Sequence, residues 1–181
     1  MAAAVRLVSE NGTTALPVIE ISDAADVSRQ LVYIQFGDRD SLLVAAAADL
    51  VERELLADIR DGTAAHRDRL VAMARHFAEK RSFYRAMLTG TCGFAMARAL
   101  NRLFAALVTA EGLREVFGEI DETTSQDLAS LMTSGIGAIV NEWVIDAAEP
   151  LDPEGLADRL LRVSAVLARN RPAGVAGGSP R

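Results

Sequence analysis

The stretch from residue 18 to residue 42 constrains the fold of this chain more than any other. Apolar residues recur there three and four positions apart on both sides of a break at 26–28, namely Val18, Ile21 and Ala25, then Val32 and Phe36. Two helices this short do not bury enough apolar surface to be stable alone. Crossed at a steep angle they share one small core, which is the helix-turn-helix arrangement. The pattern therefore predicts a second helix over 29–36, held at the surface where it can enter a DNA major groove.

A longer run of positions extends this pattern beyond the two helices. It consists of Ala3, Ala4, Leu7, Val8, Gly12, Val18, Ile21, Ala25, Val27, Ser28, Tyr33, Phe36, Arg39 and Leu42. In residue type and spacing the run resembles the DNA-binding domain of the tetracycline-repressor (TetR) family of bacterial transcription regulators, without a gap from Gly12 to Leu42. The resemblance implies a homodimer that binds a double-stranded DNA operator and responds to a small-molecule effector.

The stretch departs from the family pattern in ways that bear on DNA binding. Asp26 stands where the family has a turn glycine, although Asp tolerates the left-handed region better than most residues. Acidic residues outnumber basic ones up to Leu42, whereas phosphate neutralisation normally supplies most non-specific affinity. The sequence begins inside the first helix that the resemblance implies, after the family's basic N-terminal arm. Either the start is misplaced or the protein binds DNA without that arm.

The resemblance assigns DNA contacts to the second helix of the motif and to Arg39. Residues 29–31 open the helix and are expected to meet base edges, since Arg favours guanine, Gln favours adenine and Leu can touch a thymine methyl. Tyr33, Gln35 and Arg39 are expected to contact phosphates, which fixes register without reading sequence. For Tyr33 the alternative is a half-buried packing role. The predicted DNA-binding set is Ser28, Arg29, Gln30, Leu31, Tyr33, Ile34, Gln35 and Arg39.

The remainder of the chain predicts an all-α protein. Apolar residues keep helical spacing and never alternate as in a strand, so we expect helices over about 40–60, 64–88, 93–108, 111–119, 125–145 and 154–169. The resulting organisation is an N-terminal three-helix helix-turn-helix DNA-binding domain over 1–43, an α-helical ligand-binding and dimerisation domain over 44–170, and a disordered Pro/Gly-rich tail over 171–181. The helix that starts near residue 40 is shared by both domains, so we expect it to transmit movement between them.

Composition and residue spacing argue against membrane insertion and catalysis. The longest apolar run, 42–48, is too short to span a membrane, and the lone Cys92 cannot form an internal disulfide, as expected of a cytoplasmic protein. His66 and His76 lie ten residues apart on one predicted helix, about 15 Å along its axis and on different sides, so they cannot share a metal. The sequence predicts no catalytic residue, no metal site and no cofactor.

The last two predicted helices carry more apolar surface than one internal core needs. Small residues between 135 and 138 would also permit close approach of a neighbouring backbone. Two chains would bury the excess in an intersubunit four-helix bundle, which the family resemblance also implies. The alternative is that both faces are satisfied within one chain. The predicted dimerisation residues are Met132, Ile136, Ile139, Trp143, Leu156, Leu160, Val163 and Leu167.

A ligand site is predicted among the middle helices. An apolar cavity with a few polar groups is the usual form of a small-molecule site. The candidate lining is Met73, His76, Phe77, Tyr84, Met87, Phe94 and Phe104, and its apolar character predicts an apolar or aromatic effector. The alternative is that the same residues form ordinary core, since Met and Phe at helical spacing often do.

These observations leave two functional hypotheses. The first is a ligand-responsive repressor that is released from a pseudo-palindromic operator when the effector binds. The second is a helical dimer of the same fold that binds a small molecule or a partner without effective DNA binding. The acidic DNA-binding domain is the reason to consider the second hypothesis.

Overall fold

The computed structural model describes residues 1–57 and 65–169 of the chain. Those residues form ten α-helices and no strand, so the predicted all-α fold class is confirmed. The helices are α1 Ala2–Asn11, α2 Val18–Ala24, α3 Arg29–Phe36, α4 Arg39–Val51, α5 His66–Glu79, α6 Arg81–Thr89, α7 Gly93–Ala105, α8 Ala110–Phe117, α9 Glu122–Asp146 and α10 Pro153–Arg169. The predicted disordered tail lies outside the described residues.

Helices α1 to α4 pack around one small apolar core. Its buried members are Ala4, Val8, Leu16, Ile21, Val32, Leu42 and Leu43, and Phe36 is partly buried against them. Helix α3 packs on both α2 and α4, so its inner face is fixed while its outer face remains in solvent. This is the predicted helix-turn-helix, with Val32 and Phe36 on the inner side as expected.

Local backbone chemistry sets the ends of α3. Asp26 occupies the turn with a positive φ of 54°, so it adopts the left-handed conformation expected of a residue in place of glycine. The Leu31 backbone N–H donates to Ser28 Oγ at 3.2 Å, so Ser28 is the N-cap of α3. Gly37, at φ 81°, ends the helix, and the Ser41 N–H donates to Asp38 Oδ1 at 2.6 Å to start α4.

Helix α4 joins two parts of the molecule. Helices α1 to α3 form the region with the predicted DNA-binding motif, which we call the DNA-binding region, and helices α5 to α10 form the body. Helix α4 contacts α1 and α3 on one side and α7 of the body on the other. Ala46, Ala47, Leu50 and Val51 are buried along it, and the helix continues into a π-helical segment, Glu52–Leu56. Helix α4 is therefore in contact both with α3 and with α7.

The predicted single helix over 64–88 is wrong, because the structure divides it into α5 and α6. Lys80 leaves the helical region at φ −105° and ψ 21°. The break lets the chain change direction, since α5 packs on α10 whereas α6 packs on α1. It also buries Phe83, Tyr84 and Met87 of α6. Tertiary packing therefore overrides a continuous local helical pattern.

Helix α9 is long and apolar enough to cross a membrane by those two criteria alone. In the structure it packs on α5, α6, α7 and α8 as a core helix of the body, with Val140, Trp143 and Val144 buried. Helix α10 packs beside α5 through Leu156, Ala157 and Leu160. One such helix among the described residues is weak evidence for a membrane span, since core helices of soluble proteins meet the same criteria.

Candidate DNA-binding and ligand-binding sites

The outer face of α3 is an exposed surface of polar and apolar side chains. Ile34 is 68% exposed and Tyr33 is 51% exposed, while Leu31 is also largely in solvent. Arg29, Gln30 and Gln35 are exposed beside them. Val32 faces inward, so the capped helix has one face anchored and one face free. A helix held in this way has the geometry that fits a DNA major groove.

The structure brings most of the predicted DNA-binding residues together. Five of them line one shallow depression on the surface, namely Ser28, Arg29, Gln30, Tyr33 and Ile34. Leu31 and Gln35 lie on the same helix outside that depression. No carboxylate among the described residues forms an ion pair with Arg29, so its guanidinium is available to a phosphate or a base.

Arg39 lies apart from the other predicted contacts, at the start of α4. It is half-buried, and its guanidinium pairs with Asp40 Oδ1 at 2.8 Å. Thr91 Oγ1 donates to the other carboxylate oxygen, Asp40 Oδ2, at 2.7 Å. The hydrogen bond from Thr91 lowers the pKa of Asp40 more than any other contact does, and Arg39 acts in the same direction. Asp40 therefore stays ionised and links Arg39 to the α6–α7 connection.

The body contains a half-open cavity between α5, α7, α8 and α9. Its volume is about 490 Å³, within the usual range for small-molecule sites. The apolar lining residues are Leu70, Met73, Phe77, Ala97, Leu100, Phe104, Leu107, Val108, Leu113, Phe117, Met132, Ile136 and Val140. The remaining lining residues are His66, Arg69, Asn101, Thr109, Gly112, Thr133, Gly137 and Asn141. The cavity is thus mainly apolar, with a small polar set that contains no carboxylate among the described lining residues.

Three of the predicted ligand-binding residues, Met73, Phe77 and Phe104, line this cavity. The other four do not. Met87 is fully buried elsewhere in the core, and Phe94 points away with 78% of its side chain exposed. The two remaining residues, His76 and Tyr84, hydrogen bond to each other at 2.7 Å between Nε2 and the phenolic oxygen. Burial lowers the pKa of His76 and raises that of Tyr84, so both are neutral groups of the core.

The sequence reasoning missed the polar lining, above all Arg69. One signal was present, because Arg69, Met73 and Phe77 are spaced four apart and therefore share one face of α5. The predicted ligand-binding set also omitted residues of α9, because the sequence analysis had assigned the apolar residues of that helix to dimerisation. Met132 and Ile136 were placed in that set, yet both line the cavity. A helix with two apolar faces gives no local sign of which face meets the cavity.

The other predicted dimerisation residues are divided between the interior and the surface. Trp143, Leu156 and Leu160 are buried within the chain, and Ile139 is half-buried. Val163 and Leu167 are exposed on α10, and they are accompanied by Val166 and by Leu131 of α9, which is 66% exposed. An apolar surface therefore remains on these two helices after the chain's own core is complete.

An anchored and capped helix with a free outer face is the helix-turn-helix arrangement of DNA-binding proteins, and here α4 joins it to a body that contains a half-open cavity. Residues 1–46 match the family model described as bacterial regulatory proteins, tetR family. The match covers the helix-turn-helix and the first part of α4, and it is to the tetracycline-repressor (TetR) family of transcriptional regulators that this region is similar.

Two solved structures share this fold over nearly the whole chain. The TetR family repressor AlkX from Dietzia sp. strain DQ12-45-1b, implicated in biodegradation of n-alkanes, is 23% identical with a TM-score of 0.59, and 93% of this chain and 94% of that chain are covered. The dihydroxyacetone kinase operon activator DhaS is 17% identical with a TM-score of 0.54, and 93% of each chain is covered. No curated protein matches the chain. At these identities the likeness shows the fold.

Proposed function

We propose that this regulator is a repressor, released from a pseudo-palindromic operator when a small effector occupies the body cavity. The observation that carries the proposal is the cavity of about 490 Å³ with α7 in its wall, because α7 also packs on α4. An effector that favours one position of α7 therefore acts on the helix that supports α3. A tenfold change in DNA affinity requires about 1.4 kcal/mol of difference in effector affinity between the two states.

Repression rather than activation is part of the proposal. The two structural relatives are named as a repressor and an activator respectively, so the fold is compatible with either sign. We base the choice of repression on α3, which is anchored, capped and accessible and so is placed to bind DNA. The effector then needs only to favour a different spacing of the two DNA-binding domains.

The proposal requires a homodimer, which we infer from the apolar surface of α9 and α10. Leu131, Val163, Val166 and Leu167 are exposed there, and a second copy of the two helices would cover them in a four-helix bundle. Twofold symmetry then places two copies of α3 in successive major grooves, about 34 Å apart. We place the protein in the cytoplasm, where the operator is.

The same proposal assigns a function to each part of the chain. Residues 1–43 bind DNA and residues 44–170 bind the effector and the partner subunit, with the boundary inside α4. We propose that residues 29–31 and Ile34 meet base edges and that Ser28, Tyr33, Gln35 and Arg39 meet the phosphates on either side. The exposure of α3 and the depression between Ser28 and Ile34 support this assignment.

A fluorescence anisotropy titration tests the proposal, with labelled duplexes from the DNA upstream of the protein's own gene and unrelated duplexes of equal length. We expect Arg29→Ala and Gln30→Ala to weaken binding to the specific duplex by about tenfold or more, since a bidentate base contact contributes about 1–3 kcal/mol. Arg98→Ala is the matched control, because Arg98 is an exposed arginine of α7, away from the cavity lining and α3.

The titration is repeated at two salt concentrations. Phosphate contacts predict that affinity falls as salt rises, for the wild type and for Arg98→Ala alike. If Arg29→Ala and Gln30→Ala leave affinity and selectivity unchanged, the assignment of α3 as the reading helix is wrong. If the wild type binds no duplex at either concentration, the function is that of a helical dimer without effective DNA binding.

A further inference from the structure

We propose that Arg69 makes the body cavity a site for an amphipathic carboxylate, with the carboxylate on the guanidinium and an apolar tail extending along α5. This inference rests on the proposed function of the cavity as the effector site and names the chemical class of the effector. The overall apolar lining predicts only an apolar or aromatic ligand. Because Arg69 places one cation within that lining, we expect the ligand to carry an anionic head group as well as an apolar tail.

The first observation is that Arg69 is left without a partner where its neighbours are paired. Arg69 Nε is buried and makes no hydrogen bond within the described part of the chain. Two other arginines of the same helix have carboxylate partners on α10, Arg67 with Asp158 at 3.0 Å and Arg75 with Glu154. Among the described residues, helix α5 therefore pairs two cations with α10, whereas Nε of the arginine that lines the cavity has no acceptor.

The second observation is the sign of the charge carried by the side chains that line the cavity. Among the described residues that line the cavity, none is Asp or Glu, whereas Arg69 is a fixed cation and His66 lies one turn before it. Burial lowers the pKa of His66, and the positive charge of Arg69 lowers it further. A buried polar donor without a partner is costly, and that cost is removed by a ligand that supplies an acceptor.

The third observation is the direction of the cavity along α5. Arg69, Met73 and Phe77 lie on one face of the helix, so the wall changes from cationic to apolar over about 12 Å. Leu100, Phe104 and Val140 continue the apolar wall from α7 and α9. A carboxylate fits the planar guanidinium and accepts charge-assisted hydrogen bonds from it. A saturated chain of medium length fits the remainder, and we take decanoate as the probe.

The test compares three ligands of equal chain length on the full-length protein: decanoate, its methyl ester and decylamine. Binding is measured by isothermal titration calorimetry and by the fluorescence of Trp143, the one tryptophan of the chain, which is buried next to the cavity-lining Val140. We expect decanoate to bind about tenfold or more tightly than the ester, and decylamine to bind most weakly, because hydrogen bonds to charged groups are the stronger ones.

Variants test whether Arg69 causes the preference for decanoate over its methyl ester. Arg69→Gln should abolish the difference between decanoate and its ester, while binding of the ester stays near the wild-type value and reports that the cavity is intact. Arg69→Lys should retain part of the preference, since it keeps the charge without the planar fork. Arg98→Gln removes an exposed arginine from α7 and should leave the preference unchanged.

Three results would overturn the inference: equal affinity for decanoate and its ester, a preference that survives Arg69→Gln, or no binding of decanoate up to its solubility limit. DNA release is scored separately by anisotropy. If decanoate binds through Arg69 but does not release DNA, the ligand class stands and the proposed repressor mechanism fails. If DNA is released by neutral ligands alone, the mechanism stands and the inference about Arg69 fails.

Discussion

Thr91 Oγ1 donates a hydrogen bond to Asp40 Oδ2 at 2.7 Å, and the two residues are 51 positions apart in the chain. Asp40 lies in the first turn of α4, and Thr91 lies in the connection between α6 and α7. The same carboxylate holds Arg39, one of the proposed phosphate contacts. A polar link therefore joins this proposed phosphate contact to the segment that precedes α7, the helix that forms one wall of the cavity.

Removing the hydroxyl should loosen this link. We expect Thr91→Val to raise the pKa of Asp40 toward its ordinary value, because the Thr91 hydrogen bond is the largest cause of the lowered pKa. A carboxylate with a lowered folded-state pKa stabilises the protein above its unfolded-state pKa and loses that contribution as the pH falls through the folded-state pKa. Carboxyl-carbon NMR titration measures the change directly.

The same variant should reduce the effect of an effector on DNA affinity by about twofold to fivefold, the range expected for one partly exposed hydrogen bond. Thr89→Val is the matched control, since Thr89 Oγ1 donates within its own helix to the Arg85 carbonyl at 2.8 Å. An unchanged pKa of Asp40, or an equal loss of coupling in Thr89→Val, would show that the link does not act as described.

Gly90 is required where the DNA-binding region meets the body. A Cβ on Gly90 would overlap Oγ1 of the buried Thr14 and lie 2.9 Å from the Ala86 carbonyl oxygen. We expect Gly90→Ala to destabilise the fold by about 1–3 kcal/mol, as overpacking does, measured by urea denaturation. Thr14→Ala in the same chain should recover part of that loss. If the two substitutions are simply additive, Thr14 is not the group that excludes a side chain at Gly90.

The buried pair of His76 and Tyr84 should make stability depend on pH. Burial is the main cause of the lowered pKa of His76, so between its folded-state and unfolded-state pKa values the unfolded chain binds more protons. Stability should therefore fall as the pH drops below about 6.5, the ordinary pKa of histidine. We expect His76→Gln to flatten this dependence in denaturant titrations at several pH values.

His66→Gln is the control for that titration. His66 is exposed and contributes less, so most of the pH dependence should remain. Tyr84→Phe should cost about 1–3 kcal/mol near neutral pH, because it leaves a buried imidazole nitrogen without its partner. Equal slopes for His76→Gln and the wild type would assign the pH dependence to other groups.

A charge on the apolar surface of α9 and α10 should prevent dimerisation. We expect Val166→Glu to shift the protein from dimer to monomer in sedimentation velocity experiments, because Val166 is exposed in the chain and would be buried in the proposed four-helix bundle. Phe94→Glu is the matched control, since Phe94 is an exposed apolar residue on α7. Dimers that persist in Val166→Glu, or dissociation in Phe94→Glu, would place the interface elsewhere.

The helix-turn-helix and its end signals were predictable because they depend on neighbours in the chain. The spacing of Ile21, Val32 and Phe36 follows from helical periodicity, and the Ser28 cap is a contact across three residues. Asp26 in the left-handed turn is equally local. The all-α class followed from the same periodicity along the rest of the chain, and the family resemblance rested on residues within this local unit.

The cavity was predictable only in part. Helical spacing put Met73, Phe77 and Phe104 on apolar faces, and all three line it. The same spacing gave no means to separate them from His76, Tyr84 and Met87, which are buried in the core away from it, or from the exposed Phe94. An apolar face predicts burial, but the neighbouring helix decides whether it is buried against side chains or against a void.

The sequence by itself determined which segments become helices and where the capped reading helix lies, because those properties arise from contacts within one or two turns. Tertiary structure alone decided that the chain breaks at Lys80, that Arg69 faces the cavity without a partner, and that Thr91 meets Asp40. These features depend on groups brought together from distant parts of the chain. Their energies come from packing and desolvation, which no local pattern records.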